Sequence, residues 1–207
     1  MILAADNYYS EEANRQYMSV SQFKDFNGTY GKVACEFEAM EKLTGRWKPE
    51  PSTALLVGSY VDAYVEGTLD DFKSRNTDIL TAKGELKAPY KKAEEIIARI
   101  ERDKYFMKYL SGEKQTIMTA ELFGCEWKIK MDSYIPGKVI VDLKVMASIT
   151  DLKWVKDIGY LDFVRYWGYD LQGAIYQKIV EINTGKRLPF FIAAVTKEVE
   201  PDIRIIQ

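Results

Sequence analysis

The chain has 207 residues, with 29 Lys and Arg against 31 Asp and Glu, a formal charge of −2. A composition that is 47% apolar and 13% aromatic excludes a disordered or collagen-like chain and is ample for a packed core. There is no histidine, so an imidazole base, an imidazole metal ligand and a Ser-His-Asp triad are all excluded, and any catalysis must use carboxylates, Lys, Tyr or Cys.

The opening residues Met1 to Asp6 turn polar too soon for a signal peptide. No apolar run approaches the ~20 residues of a membrane span. The expectation is a soluble, cytoplasmic protein without a membrane partner. Cys35 and Cys125 cannot complete a four-thiolate site and are expected as reduced, buried thiols. Ser19 or Ser21 can cap a short helix through Phe26, and a second helix is expected over 32–43. Pro49 and Pro51 break the chain, after which Ser52 caps a helix over 53–66. Residues 88–109 read as one amphipathic helix with Ile96, Ile97 and Ile100 inward, and the mild basic excess between Lys83 and Lys114 reads as a solvated face.

The middle of the chain changes period. Residues 115–123, 126–134 and 138–146 read as strands separated by turn signals at Gly124-Cys125 and Pro136-Gly137, an antiparallel three-strand meander. A long helix is expected over 161–183, stopped by Gly185, with an apolar stripe of Leu171, Ile175, Ile179 and Ile182 and with Trp167 and Tyr169 in the core. Further strands follow at 190–196 and 203–206. The order predicts an α/β or α+β fold, a mixed sheet flanked by helices, in one domain over 1–207: a mainly helical part over 1–111 and a sheet core over 112–207.

Chemistry collects on the strands. In 126–134, Trp127, Ile129 and Met131 alternate with Lys128, Lys130 and Asp132; in 138–146, Val139, Val141, Leu143 and Val145 alternate with Ile140, Asp142, Lys144 and Met146. The two apolar faces match only if the connection at Pro136-Gly137 is an odd loop or carries a bulge. Asp132 then lies opposite or diagonal to Asp142, on one face with Lys144. A two-residue turn at Gly124-Cys125 puts Glu121 opposite Lys128 on that face too. Clustered carboxylates repel unless compensated. A divalent cation would compensate them, and oxygen-only ligands favour Mg²⁺ or Mn²⁺ over zinc. The alternative is a solvated face with cross-strand ion pairs.

Asp132 followed by Asp142-Leu143-Lys144 is the D…(D/E)-x-K pattern, and here the sequence resembles the PD-(D/E)XK nuclease superfamily. Gly58-Ser59-Tyr60-Val61-Asp62 upstream and Gln172-Gly173-Ala174-Ile175-Tyr176 downstream complete the order of its RecB-type branch, most similar to phage and prophage RecE-like exonucleases. Met18-Ser19-Val20-Ser21 and Cys35 fit that branch's first helix, so the resemblance covers about residues 19 to 197. It implies a restriction-endonuclease-like core. It also implies that Asp132, Asp142 and the Leu143 carbonyl bind the metal, with Lys144 serving the attacking water and the scissile phosphate. Asp62 stands where many relatives carry a histidine ligand. Glu121 would hold a second metal or a water shell, and Gln172 and Tyr176 would contact the site or the DNA backbone. The implied activity is an Mg²⁺-dependent (or Mn²⁺-dependent) DNA exonuclease of phage recombination or DNA processing. Its partners would be DNA, a phage single-strand annealing protein and further copies of the chain. The competing readings are a nuclease-fold module that binds DNA without cutting it and a structure-selective endonuclease.

Overall fold

Side-chain caps punctuate the helical first half of the computed structural model, which describes residues 1–207. Ser10 opens α1 (Glu11–Gln16) by accepting from the Ala13 amide. Ser19 and Gln22 form a reciprocal capping box at α2 (Val20–Asn27). Helix α3 (Glu36–Leu43) starts four residues later than expected, and Ser52 caps α4 (Thr53–Glu66), which stops at Gly67 with φ +80°. Helix α5 (Leu69–Arg75) and a 3-10 turn at Thr77–Ile79 lead to α6 (Ala88–Arg102). The single helix expected over 88–109 is two, because the Asp103 carboxylate takes the Tyr105 and Phe106 amides and starts α7 (Lys104–Tyr109) anew.

The strands are β1 (Thr116–Leu122), β2 (Cys125–Met131), β3 (Ser133–Ile135), β4 (Val139–Met146), β5 (Lys153–Val155) and β6 (Gly159–Leu161). Helices α8 (Phe163–Tyr166) and α9 (Tyr169–Thr184) follow, then β7 (Phe190–Thr196) and β8 (Ile203–Ile206). The helix expected over 161–183 is interrupted where Gly168 adopts a left-handed conformation, φ +63°. A four-stranded mixed sheet runs β3-β4-β7-β8, with β4 and β7 parallel and the outer pairs antiparallel.

Two strand expectations need correction. The three-strand meander does not form: β1 and β2 make a separate two-stranded sheet, and the segment read as one strand bends at Asp132 before β3 joins the main sheet. At that bend the Asp132 side chain, not a backbone carbonyl, takes the Leu143 amide at 2.8 Å. The side-chain phase shifts there, so that Met131 and Tyr134 fall in the same apolar cluster. The first hairpin turns at Phe123-Gly124, both at positive φ, rather than at Gly124-Cys125. Glu121 therefore pairs with Glu126 instead of Lys128 and is exposed. The β3–β4 connection does have an odd number of residues, 136–138, and its register extended by one step sets Asp132 against Asp142.

Helices cover both faces of the main sheet. Val57 and Val61 of α4, Ile96 and Ile100 of α6 and Phe106 of α7 pack on Val141, Leu143, Ala193 and Val195. On the other face Ile175 and Ile179 of α9, with the β1–β2 hairpin, pack on Ile140, Ile192 and Ala194. Gly173 lets α9 approach β7 closely, since a Cβ there would stand 2.9 Å from the Phe190 ring. Both cysteines are exposed, not buried: one caps α3 and the other starts β2 beside the turn. Trp167 and Ile182 are also largely exposed, and the buried face of α9 includes Gln172 and Tyr176. No helix is long and apolar enough to cross a membrane.

Candidate active site

Alternation along β4 sends Asp142 and Lys144 to the α9 side of the sheet, and the bend between β2 and β3 leaves Asp132 beside them. These three side chains, with Leu143, Gln172 and Tyr176, line one open cleft of about 290 Å³. Helix α4 contributes Asp62, α2 contributes Ser21 and Lys24 with its cap Ser19, β2 contributes Lys128 and Lys130, and the segment before α1 contributes Tyr8 and Tyr9. Of the candidates named from the sequence, Glu121 alone is absent from this cleft.

Hydrogen bonds fix the centre. Asp142 Oδ1 accepts from Gln172 Nε2 at 2.7 Å, and Lys144 forms an ion pair with the other oxygen, Oδ2. That buried Oδ2 has no well-aligned hydrogen-bond donor. The Lys144 ammonium also reaches the Leu143 carbonyl at 3.5 Å and lies 5.2 Å from the Tyr169 ring centroid. Tyr176 donates its hydroxyl to the Lys130 carbonyl at 3.2 Å. Gln172 and Tyr176 thus brace Asp142 and β2 from within the fold.

The electrostatics record crowding. Burial, then the charge of Asp132, push the Asp62 carboxyl up to about 8, with Lys144 opposing. Burial and the nearby Asp142 raise Asp132, while Lys144 and the Leu143 amide pull the other way. Burial acts to lower the Lys144 ammonium, but Asp142 and Asp132 outweigh it and hold it above the ordinary lysine range. Lys144 is therefore a fixed cation. Lys24, which also lines the cleft, is lowered to about 8 by burial and by repulsion from Lys144, and lies 5.0 Å from the Tyr169 centroid.

This arrangement sets a pH dependence. A carboxyl whose folded pKa stands above its unfolded value binds its proton more tightly in the fold, so stability falls as pH rises between the two values. For Asp62 that window runs from the ordinary 3.8 to about 8. The chelator-treated protein is expected to melt at higher temperature near pH 5.5 than near pH 8, and Asp62→Asn to flatten that slope. Thermal scans across the window check this; an equally steep slope in Asp62→Asn refutes it.

The donor chemistry suits a hard divalent cation: carboxylates, a carbonyl, a buried carboxylate oxygen without an aligned donor, and two acids forced toward neutrality. No three acidic groups are gathered closely enough to enclose one ion as they stand, and Lys144 occupies Asp142. Sequence reading missed Glu66, whose charge raises both Asp62 and Asp132. Its position one helical turn after Asp62 was a legible signal. It also missed Lys24, which sits one turn after Ser21 on α2, and Tyr8 and Tyr9, which no spacing marks.

The model of a family described as a PDDEXK-like domain of unknown function (DUF3799) matches residues 19–207. A crystal structure from Eubacterium rectale, described as a "putative exonuclease", is 75% identical and aligns with a TM-score of 0.97, covering 100% of this chain and 77% of that one. None of the curated proteins matches.

Proposed function

The chain belongs to this PDDEXK-like family, and from that premise we propose that it is a DNA exonuclease dependent on Mg²⁺ or Mn²⁺. The observation that carries the reading is the meeting of Asp62, Asp132, Asp142 and Lys144, drawn from three elements, in one cleft. The exonuclease description of the similar protein from Eubacterium rectale supports the mode of attack, and the resemblance to RecE-like enzymes supports a place in phage recombination or DNA processing. We read residues 1–207 as one catalytic unit, since β4 and β7 contribute to both apolar layers.

Asp62, Asp132, Asp142 and the Leu143 carbonyl would hold the cation. Bound there, it would polarise the phosphate and lower the pKa of an attacking water, the work for which this chain has no imidazole. The residues themselves do the rest. Gln172 fixes the rotamer of Asp142 through the 2.7 Å hydrogen bond. Lys144, held as a cation by its carboxylate neighbours in the metal-free protein, would face the phosphate as a counter-charge. Lys24 brings a second amine to the same cleft.

The purified chain is expected to shorten linear DNA with Mn²⁺ or Mg²⁺, to stop with EDTA, and to leave closed circular DNA intact. Cleavage of the circle would make it an endonuclease. The spread of the carboxylates favours one other reading, a DNA-binding module that does not cut. Binding without metal-dependent hydrolysis in the same assay would establish that reading instead.

A further inference from the structure

The mouth of the cleft is built in part from the chain segment before α1, which lies outside the matched residues 19–207. Lys128 pins this segment. Its side chain is buried, and its ammonium donates to the Tyr8 carbonyl at 2.6 Å and to Asn14 Oδ1 at 2.8 Å. Asn14 in turn donates from Nδ2 to the Tyr9 carbonyl at 3.3 Å. Burial lowers the Lys128 ammonium to about 8.

Two side chains remain available at the rim. Tyr8 is buried, but Tyr9, packed edge-to-face on it at 4.9 Å, keeps 70% of its surface exposed. Lys130 lies 4.7 Å from the Tyr9 ring centroid and is only partly buried. An exposed aromatic ring beside an amine, on a pinned stretch of backbone lining a cleft that carries acids and lysines, has the elements of a nucleotide subsite. The ring offers a stacking face for a base and the amine a partner for its phosphate. Bases inside a duplex are covered on both faces by their neighbours, whereas an unpaired base has a free face to lay on such a ring. A cleft of about 290 Å³ is at the low end of single-ligand sites, the scale of one nucleotide unit.

Resting on the DNA reading above, we infer that Tyr9 and Lys130 form a subsite for an unpaired nucleotide, so that single-stranded DNA enters this cleft with a base stacked on Tyr9. The segment before α1 would thus help to choose the substrate strand.

The test uses the full chain in Ca²⁺, with a short fluorescent single strand and a blunt duplex as probes. Tyr9→Ala is expected to weaken single-strand binding about tenfold, the scale of one lost base stack, and to leave duplex binding unchanged. Tyr9→Phe should bind as the parent does. An aminopurine-labelled strand should lose fluorescence on binding the parent and keep it with Tyr9→Ala. Lys130→Ala should flatten the salt dependence of binding. Cleavage, scored separately in Mn²⁺, should show a raised KM and an unchanged kcat for Tyr9→Ala. If Tyr9→Ala binds and quenches like the parent while the parent cuts DNA, the subsite is overturned and the nuclease stands. If the parent binds through Tyr9 but never cuts, the nuclease falls and the subsite stands. A parent with no affinity for either probe ends both.

Discussion

Asp132→Asn is expected to abolish DNA hydrolysis while leaving the protein as stable as the parent or more so. In the parent this carboxyl is buried, raised by burial and by Asp142, and it accepts the Leu143 amide at 2.8 Å. An Asn oxygen can accept the same amide, so the bend between β2 and β3 survives. What disappears is a negative charge crowded against Asp142 and Asp62, and its removal relieves repulsion. In the proposed chemistry the same charge would be a ligand of the cation. A carboxylate ligand supports charge stabilisation worth several kcal/mol, and at about 1.4 kcal/mol per factor of ten its loss should slow cleavage roughly a thousandfold or more. Circular dichroism melts in EDTA and initial rates in Mn²⁺ give the two readouts. Retained activity would remove Asp132 from the metal site. Lost activity with a lowered melting temperature would mean that it chiefly holds the fold.

Lys144→Ala should fail on both counts. The Asp142 side chain is 5% exposed and that of Lys144 22%, so their ion pair is largely shielded from water. Deleting one member of a buried pair leaves the other charge without compensation, at a typical cost of about 3 kcal/mol. Only Gln172 Nε2 would still serve Asp142. Urea unfolding in EDTA should show that loss. Because Lys144 acts as a cation, Lys144→Arg should restore stability in part. Cleavage by Lys144→Ala should fall about a hundredfold or more, the scale of losing one preorganised charge at a reacting phosphate. A pH–rate profile whose basic limb moves with this lysine would contradict the fixed-cation role. An alanine variant as stable as the parent would show that the pair adds nothing to the fold.

Local chemistry made much of the architecture readable. Ser52 after Pro49 and Pro51 placed α4 at its observed bounds, and Gly185 ended α9 where expected. The helix–strand order gave the mixed sheet flanked by helices. The failures share a cause. Asp103 and Asp132 each divert backbone amides to a carboxylate, and Gly168 enters the left-handed region. Each splits an element whose hydrophobic period runs on across the break. The misplaced turn at Phe123-Gly124 cost Glu121 its expected role, because a register slip exchanges the partners of every residue in a hairpin.

The candidate site divides in the same way. From the sequence alone came the absence of imidazole and hence the dependence on carboxylates and Lys. Equally legible were the alternation that puts Asp142 and Lys144 on one side of β4 and the odd loop that sets Asp132 against Asp142. These follow from composition and from the two-residue repeat of a strand, which any segment carries within itself. Only the tertiary structure decided that burial and neighbouring acids push the Asp62 carboxyl toward neutrality, that the charge of Glu66 of α4 reaches this centre, that Lys144 is held as a cation, and that Tyr8 and Tyr9 line the cleft. Those outcomes depend on burial and on the distances between charges far apart in the chain, which no local pattern of side chains encodes.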